Sequence, residues 1–234
     1  MKLDRALLIG NSRWHWAERH QTTWRFDHSA PDPDRLGDDG LIWAAVGPVP
    51  EQLEKGAHWH RMTLEDIPLS GCPPWLGIDR ALGAWEAWQL ARSQGDSLEQ
   101  GLLLADAGTV LSLTLLDNKG RLRGGQLIPG LRLQLQSMEA ATALLPPLEP
   151  GALPKELFPL DTRDAMRQGV IQAMTASVVE ARRCSGAALW LCGGDAALLA
   201  PELDQRGETV HWHPDLQMRA MVDLMERFNP VRDH

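Results

Sequence analysis

The feature that most constrains the fold is a strand pattern that occurs twice along the chain. Near the start, the apolar strand "ALLI" ends at Gly10-Asn11-Ser12, and "RWHWA" and "TTWRF" follow as two further strands. Residues 102–128 repeat this plan, because an apolar run ends at Asp106-Ala107-Gly108-Thr109 and two more strands follow. Alternation of apolar and polar residues is typical of half-buried strands. Two copies of one three-stranded meander predict an internally duplicated α/β fold.

Segments with helical spacing lie between and after these copies. Apolar residues continue at that spacing from Ile78, which places Asp79 in or just before the first turn of a helix. A second helix is predicted after Pro129, and a long amphipathic one begins near Asp161 or Thr162, either of which suits its N-cap. We predict two similar domains, residues 1–100 and 101–234, that face each other across a cleft.

The charge and the cysteines limit the classes of partner. A net charge of −8 argues against a nucleic acid or an anionic membrane as partner, since both need a clustered positive surface. No stretch approaches the roughly 18 apolar residues of a membrane span, and "MKLDRALLIGNS" becomes polar too soon for a signal peptide. The 3 cysteines have no C-x-x-C spacing, so neither disulfides nor a structural zinc site are indicated. A cytoplasmic protein is expected.

Three glycine turns that follow apolar strands carry the functional signal. They are Gly10-Asn11-Ser12, Asp106 to Thr109, and Cys192-Gly193-Gly194-Asp195-Ala196. Backbone N–H groups bared by a glycine can point together at an anion, although any one such turn is more often an ordinary strand end. No G-x-G-x-x-G, G-x-x-x-x-G-K-[ST] or G-x-S-x-G occurs, so dinucleotide, P-loop and hydrolase-elbow sites have no motif support. The three turns together predict a nucleotide cleft.

The order of motifs resembles the type III pantothenate kinases, members of the acetate-kinase, sugar-kinase, Hsp70 and actin superfamily. The chain has Leu8-Ile9-Gly10-Asn11-Ser12 for D-x-G-N-[TS], Gly77-Ile78-Asp79-Arg80 for G-x-D-R, and Asp106 to Thr109 for D-x-G-T. "GGQLIPG", "TRDAMRQG" and "CGGDA" are similar to three further motifs of the family. The resemblance covers nearly the whole chain. It implies two ribonuclease-H-like, actin-like ATPase domains with mixed β-sheets flanked by helices and a nucleotide cleft between them.

The resemblance also implies an activity, the transfer of the ATP γ-phosphate to the primary hydroxyl of pantothenate in coenzyme A synthesis. Asp79 is then the catalytic carboxylate, and Asp106 holds the monovalent cation, K⁺ or NH₄⁺, beside Mg²⁺-ATP. The implied pantothenate contacts are Gly77, Ile78, Asp79, Arg80 and Thr162. The implied ATP contacts are Leu8, Ile9, Gly10, Asn11, Ser12, Arg13, Trp14, His15 and Thr109. A homodimer is implied as well, with Thr162 near its interface. An aromatic residue that precedes G-x-D-R in many members of the family has no certain match here, and Trp75 and Ser70 are the two candidate positions.

The first motif departs from the family at two positions. Leu8 stands where an acid normally faces the magnesium, and His15 falls at or near the place of a lysine that contacts the phosphates. Our hypothesis is that Mg²⁺ depends on Asp106 and on the oxygens of the nucleotide, which makes ATP binding weak or tolerant of other phosphate donors.

Two other functions remain open at this point. A non-catalytic relative, nucleotide-binding or accessory to transcription, is favoured by Leu8 and opposed by intact Asp79, Asp106 and Thr109. A different small-molecule kinase or phosphatase of the superfamily is opposed by the G-x-D-R motif. In the simplest structural interpretation, Asp79 merely caps its helix.

Overall fold

The computed structural model describes residues 3–37, 39–56 and 59–228. Its contacts divide the chain into two compact units, Met1–Leu90 with Asp215–His234, and Ala91–Pro214. The predicted division at residue 100 differs from this grouping in residues 91–100, and it also assigned the C-terminal segment to the second domain.

The first unit contains a five-stranded mixed sheet. Its strands are β1 (Arg5–Ile9), β2 (Trp14–His20), β3 (Thr23–Ser29), β4 (Leu41–Ala45) and β5 (Trp59–Arg61), and its helices are α1 (Glu51–Lys55), α2 (Ile78–Gln94), which continues into the second unit, and α6 (Leu216–Met225). The strand order is β3-β2-β1-β4-β5. β1, β2 and β3 are antiparallel, whereas β4 and β5 continue parallel to β1. α6 packs against β1 and β2.

The second unit repeats this sheet. Its elements are β6 (Leu102–Ala107), β7 (Val110–Leu116), β8 (Leu122–Pro129), α3 (Leu131–Ala141), α4 (Thr162–Ser185), β9 (Ala188–Cys192), α5 (Ala196–Asp204) and β10 (Val210–Trp212). The order β10-β9-β6-β7-β8, read from the other edge, matches that of the first sheet. The strand directions match too. The predicted duplication is therefore confirmed and extends beyond the meanders to both parallel strands.

One strand is longer than predicted. The predicted strand "RWHWA" ends at Ala17, before the polar run "ERHQ", but β2 continues to His20 because Glu18, Arg19 and His20 pair with β3. The chain turns instead at Gln21, which has a φ of 56°. Glu18 is half-buried and forms ion pairs with Arg5 and Arg35, and Arg19 and His20 are exposed, so polar residues continue this strand without burying an unpaired charge.

Each unit has its own apolar core. In the first, Leu7, Ile9, Trp14 and Trp16 pack with residues of β4 and with Leu36 and Leu53. In the second, apolar residues of β6, β7 and β9 pack against α3, α4 and α5. Burial of such side chains contributes about 1.5–3 kcal/mol for each large one, which fixes the strand register on which the turns depend. Among the described residues, no helix is long and apolar enough to cross a membrane.

Candidate active site

The first glycine turn closes the β1–β2 hairpin. The N–H of Gly10 donates to the carbonyl oxygen of Arg13 at 2.9 Å, so Asn11 and Ser12 lie at the tip of the turn. The end of β4 packs directly beneath it, where the N–H groups of Val46 and Gly47 donate to the carbonyl oxygen of Ile9. A Cβ on Gly47 would lie 2.1 Å from the carbonyl oxygen of Gly10. Only glycine therefore allows this close approach.

The side chains that flank the turn divide between two faces of the sheet. Ile9 and Trp14 are buried in the apolar core, so they can offer a ligand only their backbone groups. Leu8 and His15 are paired residues of β1 and β2, and Leu8 is only 4% exposed. A leucine there supplies no metal ligand. The Nε2 atom of His15 lies next to the turn, 3.3 Å from where a Cβ of Gly10 would be.

The G-x-D-R motif forms the start of α2, as predicted. The carbonyl oxygen of Gly77 accepts from the N–H groups of Arg80 and Ala81, and Asp79 lies in the first turn of the helix. The Oδ1 atom of Asp79 accepts from the N–H of Arg80 at 2.8 Å. A Cβ on Gly77 would lie 2.6 Å from this same Oδ1 atom, so the glycine leaves room for the carboxylate.

Burial raises the pKa of Asp79 above its usual range, and the backbone hydrogen bond and the charge of Arg80 only partly offset this effect. A buried carboxylate has lost part of its hydration, so the free energy that it gains by accepting a proton is larger than for a solvated carboxylate.

Two motifs of the first unit lie close together through the end of β4. Gly47 packs under the glycine turn, and the side chain of its neighbour Val46 lies 3.7 Å from the Cβ position of Gly77. Trp75, two residues before that glycine, is 83% exposed and so presents an aromatic surface to solvent beside the motif.

In the second unit, the turn after β6 meets the turn after β9. Gly193 has a φ of 95°, and a Cβ there would lie 2.5 Å from the Oδ1 atom of Asp106 and 2.4 Å from the carbonyl oxygen of Ala107. The N–H of Asp195 donates to that same carbonyl at 2.8 Å. The arrangement places a carboxylate and a carbonyl oxygen beside one glycine, and oxygen atoms are the ligands that Mg²⁺ and K⁺ favour.

Thr109 also lies in this turn, next to the start of α3. A Cβ on Gly130 would lie 2.1 Å from the carbonyl oxygen of Gly108. The N–H of Gly130 donates to the carbonyl oxygen of Thr109 at 3.0 Å. Thr162 is the exposed first residue of α4, and its neighbour Asp161 is the N-cap, accepting from two backbone N–H groups. Asp161 is therefore the cap that the sequence left open between the two residues.

Sequence reasoning missed three residues of the first unit. Gly47 follows a buried strand, and that position in "LIWAAVGPVP" was its only signal. His28 forms hydrogen bonds with both His15 and Asp215, but Asp215 is distant in sequence and no local pattern connects these residues. Across the described ranges, these three residues included, no group of three or more His, Cys, Asp and Glu side chains is placed to hold a metal ion.

Two sheets of one strand order, each with glycine turns at the ends of neighbouring strands, define an α/β protein of the actin-like ATPase and sugar-kinase class. Solved structures agree. A Campylobacter jejuni protein assigned as a Baf family transcriptional activator has a TM-score of 0.67 and 19% identity, covering 96% of this chain and 98% of that one. A Sinorhizobium meliloti protein assigned as a 2-dehydro-3-deoxygalactonokinase has a TM-score of 0.63 and 11% identity, covering 99% and 98%.

Sequence comparison gives the family within this class. The sequence model of the type III pantothenate kinases matches residues 70–183, which contain the G-x-D-R and D-x-G-T motifs. The type III pantothenate kinase of Synechococcus sp. (strain JA-3-3Ab) is 33% identical over 238 residues, with 97% of this chain and 94% of that protein covered. The chain belongs to the type III pantothenate kinase family.

Proposed function

We propose that this protein is an ATP-dependent kinase that phosphorylates the primary hydroxyl of pantothenate, the first step of coenzyme A synthesis. The observation that carries the proposal is the G-x-D-R motif at the start of α2, where Oδ1 of Asp79 is held by the N–H of Arg80 and lies against Gly77. Family membership supports the substrate, and the glycine turns of both units support binding of a phosphate chain.

In the proposed reaction, the pantothenate hydroxyl oxygen attacks the γ-phosphorus while the bond from that phosphorus to the β–γ bridging oxygen breaks. The hydroxyl proton passes to Asp79, through the Oδ2 atom that the Arg80 N–H does not engage, and ADP leaves. A loose transition state releases this proton late, so the carboxylate mainly orients the hydroxyl and then accepts the proton. Arg80 stabilises the charge of the transferring group, and Gly77 and Ile78 contribute to the pantothenate site with Thr162 and Trp75.

The nucleotide is assigned to the turns at Gly10 to Arg13 and at Thr109, with Leu8, Ile9, Trp14 and His15 as flanking contacts. Asp106 is the residue that fits a cation, because its carboxylate lies beside a backbone carbonyl and a glycine. A bound K⁺ or NH₄⁺ and Mg²⁺ supply positive charge that offsets the phosphate charge. We place this activity in the cytoplasm.

The test is a coupled assay of ADP release with pantothenate present or absent and with K⁺ replaced by Na⁺. A pantothenate kinase releases ADP only with pantothenate, and faster with K⁺. A non-catalytic relative binds ATP without release, and a kinase for another acceptor releases ADP with other alcohols but not with pantothenate. Either of the last two results would overturn the proposal.

A test of the altered first motif is the substitution Leu8→Asp. We expect a lower KM for Mg-ATP or a higher rate, because a carboxylate is restored where Leu8 now lies buried in β1. The same change should lower the free energy of unfolding by about 1–3 kcal/mol, since a polar group replaces an apolar one. Leu8→Asn is the matched control, with similar polarity and no charge. Unchanged or poorer use of Mg-ATP by the aspartate variant would show that the site compensates elsewhere.

A homodimer is proposed from the family and from apolar side chains of the second unit. Leu144, Phe158 and Leu160 are 93%, 86% and 104% exposed, which is costly for a monomer in water. We expect the pair Phe158→Lys and Leu160→Lys to shift sedimentation from dimer to monomer, while Glu156→Lys in the same segment does not. A dimer that survives the double substitution would contradict this interface.

A further inference from the structure

A chain of hydrogen bonds joins three side chains of the first unit. The Nδ1 atoms of His15 and His28, paired residues of β2 and β3, lie 2.7 Å apart. The Nε2 atom of His28 lies 2.8 Å from Oδ1 of Asp215, the N-cap residue of α6. Both distances are those of strong hydrogen bonds. We call these three residues the histidine relay.

One end of the histidine relay lies at the nucleotide turn. The Nε2 atom of His15 is 3.3 Å from the Cβ position of Gly10, and none of the described residues forms a hydrogen bond with it. The other end is tied to α6, which packs against β1 and β2. His15 is thus held in one orientation with its remaining nitrogen directed at the turn.

The hydrogen bonds determine where protons lie. An ionised Asp215 only accepts, so Nε2 of His28 carries a proton. If His28 is neutral, its Nδ1 accepts, Nδ1 of His15 is the donor, and Nε2 of a neutral His15 is a bare acceptor. Adding one proton to the histidine relay places a hydrogen on Nε2 of His15. This holds whether the positive charge lies on the ring of His15 or on that of His28. The histidine relay therefore presents either an acceptor or a donor at the turn.

Burial and neighbouring charges favour the acceptor state of His15 in the free protein. Burial, followed by the charges of His28 and Arg13, lowers the pKa of His15 to about 4, whereas the charge of Asp215 acts in the opposite direction. These three residues, from β3, the turn and the start of α6, are the charged groups that act on it. A bare nitrogen repels a phosphate oxygen, whereas an N–H donates to it.

We infer that nucleotide binding at the Gly10 to Arg13 turn takes up one proton, which is held at Nε2 of His15 and donated to a phosphate oxygen. His28 and Asp215 are positioning residues, since they fix the ring of His15 and compensate its added charge. The inference rests on the proposed function only in its assignment of this turn to the nucleotide phosphates.

The sign of the pH dependence follows from this uptake. Binding of an anion next to Nε2 raises the pKa of His15, so affinity is greatest at low pH and falls as pH rises. At pH values at which the free protein lacks this proton and the complex holds it, the affinity falls about tenfold for each unit of pH increase.

The experiment is calorimetry of Mg-ADP binding to the full chain between pH 6 and 8, in buffers of different ionisation enthalpy. We expect the wild-type protein to take up close to one proton more than Asp215→Asn, and the variant to bind about tenfold more weakly at pH 7. The asparagine oxygen still accepts from His28, so geometry is kept and only the charge is lost. Protons that Mg-ADP itself takes up or releases contribute equally for both proteins, so they cancel in the difference between the wild type and the variant.

Two further variants make the result specific. His15→Lys supplies a permanent charge, so no proton of the histidine relay is taken up on binding and the relay should no longer make Mg-ADP affinity depend on pH. Adding Asp215→Asn to this variant should have no further effect. His20→Gln, an exposed histidine farther along β2, should behave as the wild type. Equal proton uptake by the wild type and Asp215→Asn would overturn the inference.

A spectroscopic measurement tests the same point without a variant. In ¹⁵N-histidine protein at pH 7.5, Nε2 of His15 should be unprotonated when free and protonated with Mg-ADP. An Nε2 that is protonated in both states, or in neither, would overturn the inference. Failure of the kinase proposal is a separate result, because it is detected by pantothenate-dependent ADP release, whereas both of these measurements use binding alone.

Discussion

Replacing Asp79 with asparagine should lower kcat by about a hundredfold to ten-thousandfold, the usual contribution of a positioned general base. The amide oxygen of asparagine can still accept from the N–H of Arg80, so the start of α2 should keep its geometry. ATP affinity should stay near that of the wild type, because the nucleotide is assigned to other turns. Steady-state kinetics with pantothenate, together with nucleotide binding, measures both quantities.

Turnover, measured beside stability, separates this catalytic role from helix capping, because asparagine caps a helix about as well as aspartate. Folding raises the pKa of Asp79 through burial, so the ionised carboxylate costs stability at pH values above that raised pKa. The Asp79→Asn protein should then be at least as stable as the wild type at neutral pH, and a residue that only caps the helix would leave turnover unchanged in this variant. In the wild type, kcat/KM should fall as pH falls through the raised pKa of Asp79. A variant with near-normal turnover, or one that is inactive only because it is unfolded, would contradict the assignment.

The second large effect is expected at Gly47, which lies beneath the first glycine turn, the turn to which we assign the nucleotide. A Cβ there would lie 2.1 Å from a backbone oxygen of Gly10, and neither backbone segment can move without displacing the turn. We expect Gly47→Ala to weaken use of Mg-ATP about a hundredfold and to lower the free energy of unfolding by about 1–3 kcal/mol. Kinetics at varied Mg-ATP and thermal unfolding measure these effects.

The matched control is Gly169→Ala in α4. No other atom lies within 4 Å of its Cβ position, so the alanine fits. Alanine is also the better helix former, by about 0.5–1 kcal/mol. This control should be as active as the wild type and slightly more stable. If Gly47→Ala behaved like Gly169→Ala, the close contact under the turn would not matter for nucleotide use.

Much of the fold could be predicted because its signals are local. The apolar strands around Ile9 and Asp106, the alternating strands after them and the turns between them were sufficient to predict two three-stranded meanders and a duplicated fold. Helices α2 and α4 followed from apolar spacing, and the turns after the strands followed from glycines at the ends of apolar runs. These features depend on neighbours in sequence, which a pattern can record.

The remaining features depend on contacts between distant residues. The packing of α6 on the first sheet joins residue 215 and beyond to β1 and β2, and nothing in the sequence of α6 indicates which unit it covers. The contact of Gly47 with Gly10 and that of Asp215 with His28 have the same origin. The predicted domain boundary at residue 100 differs from the contact-based units for this reason as well, because it followed chain order.

The roles of Asp79, Asp106, Thr162 and the first glycine turn remain predictions that the geometry supports. Asp79 has the strongest support, because its burial and its hydrogen bond to the Arg80 N–H suit a carboxylate that receives a proton. The first glycine turn has the most unusual composition. The buried Leu8 and His15 of the histidine relay flank it where an acid and a lysine are usual in the family.

Transfer of phosphate to pantothenate is observed directly by ³¹P NMR of a reaction that contains this protein, Mg-ATP, K⁺ and pantothenate. We expect a new phosphomonoester signal, coupled to the protons of the CH₂ group that bore the primary hydroxyl, that grows in step with ADP. The signal should be nearly absent with Asp79→Asn. Formation of ADP and inorganic phosphate without the ester, or no turnover of ATP at all, would contradict the proposed kinase activity.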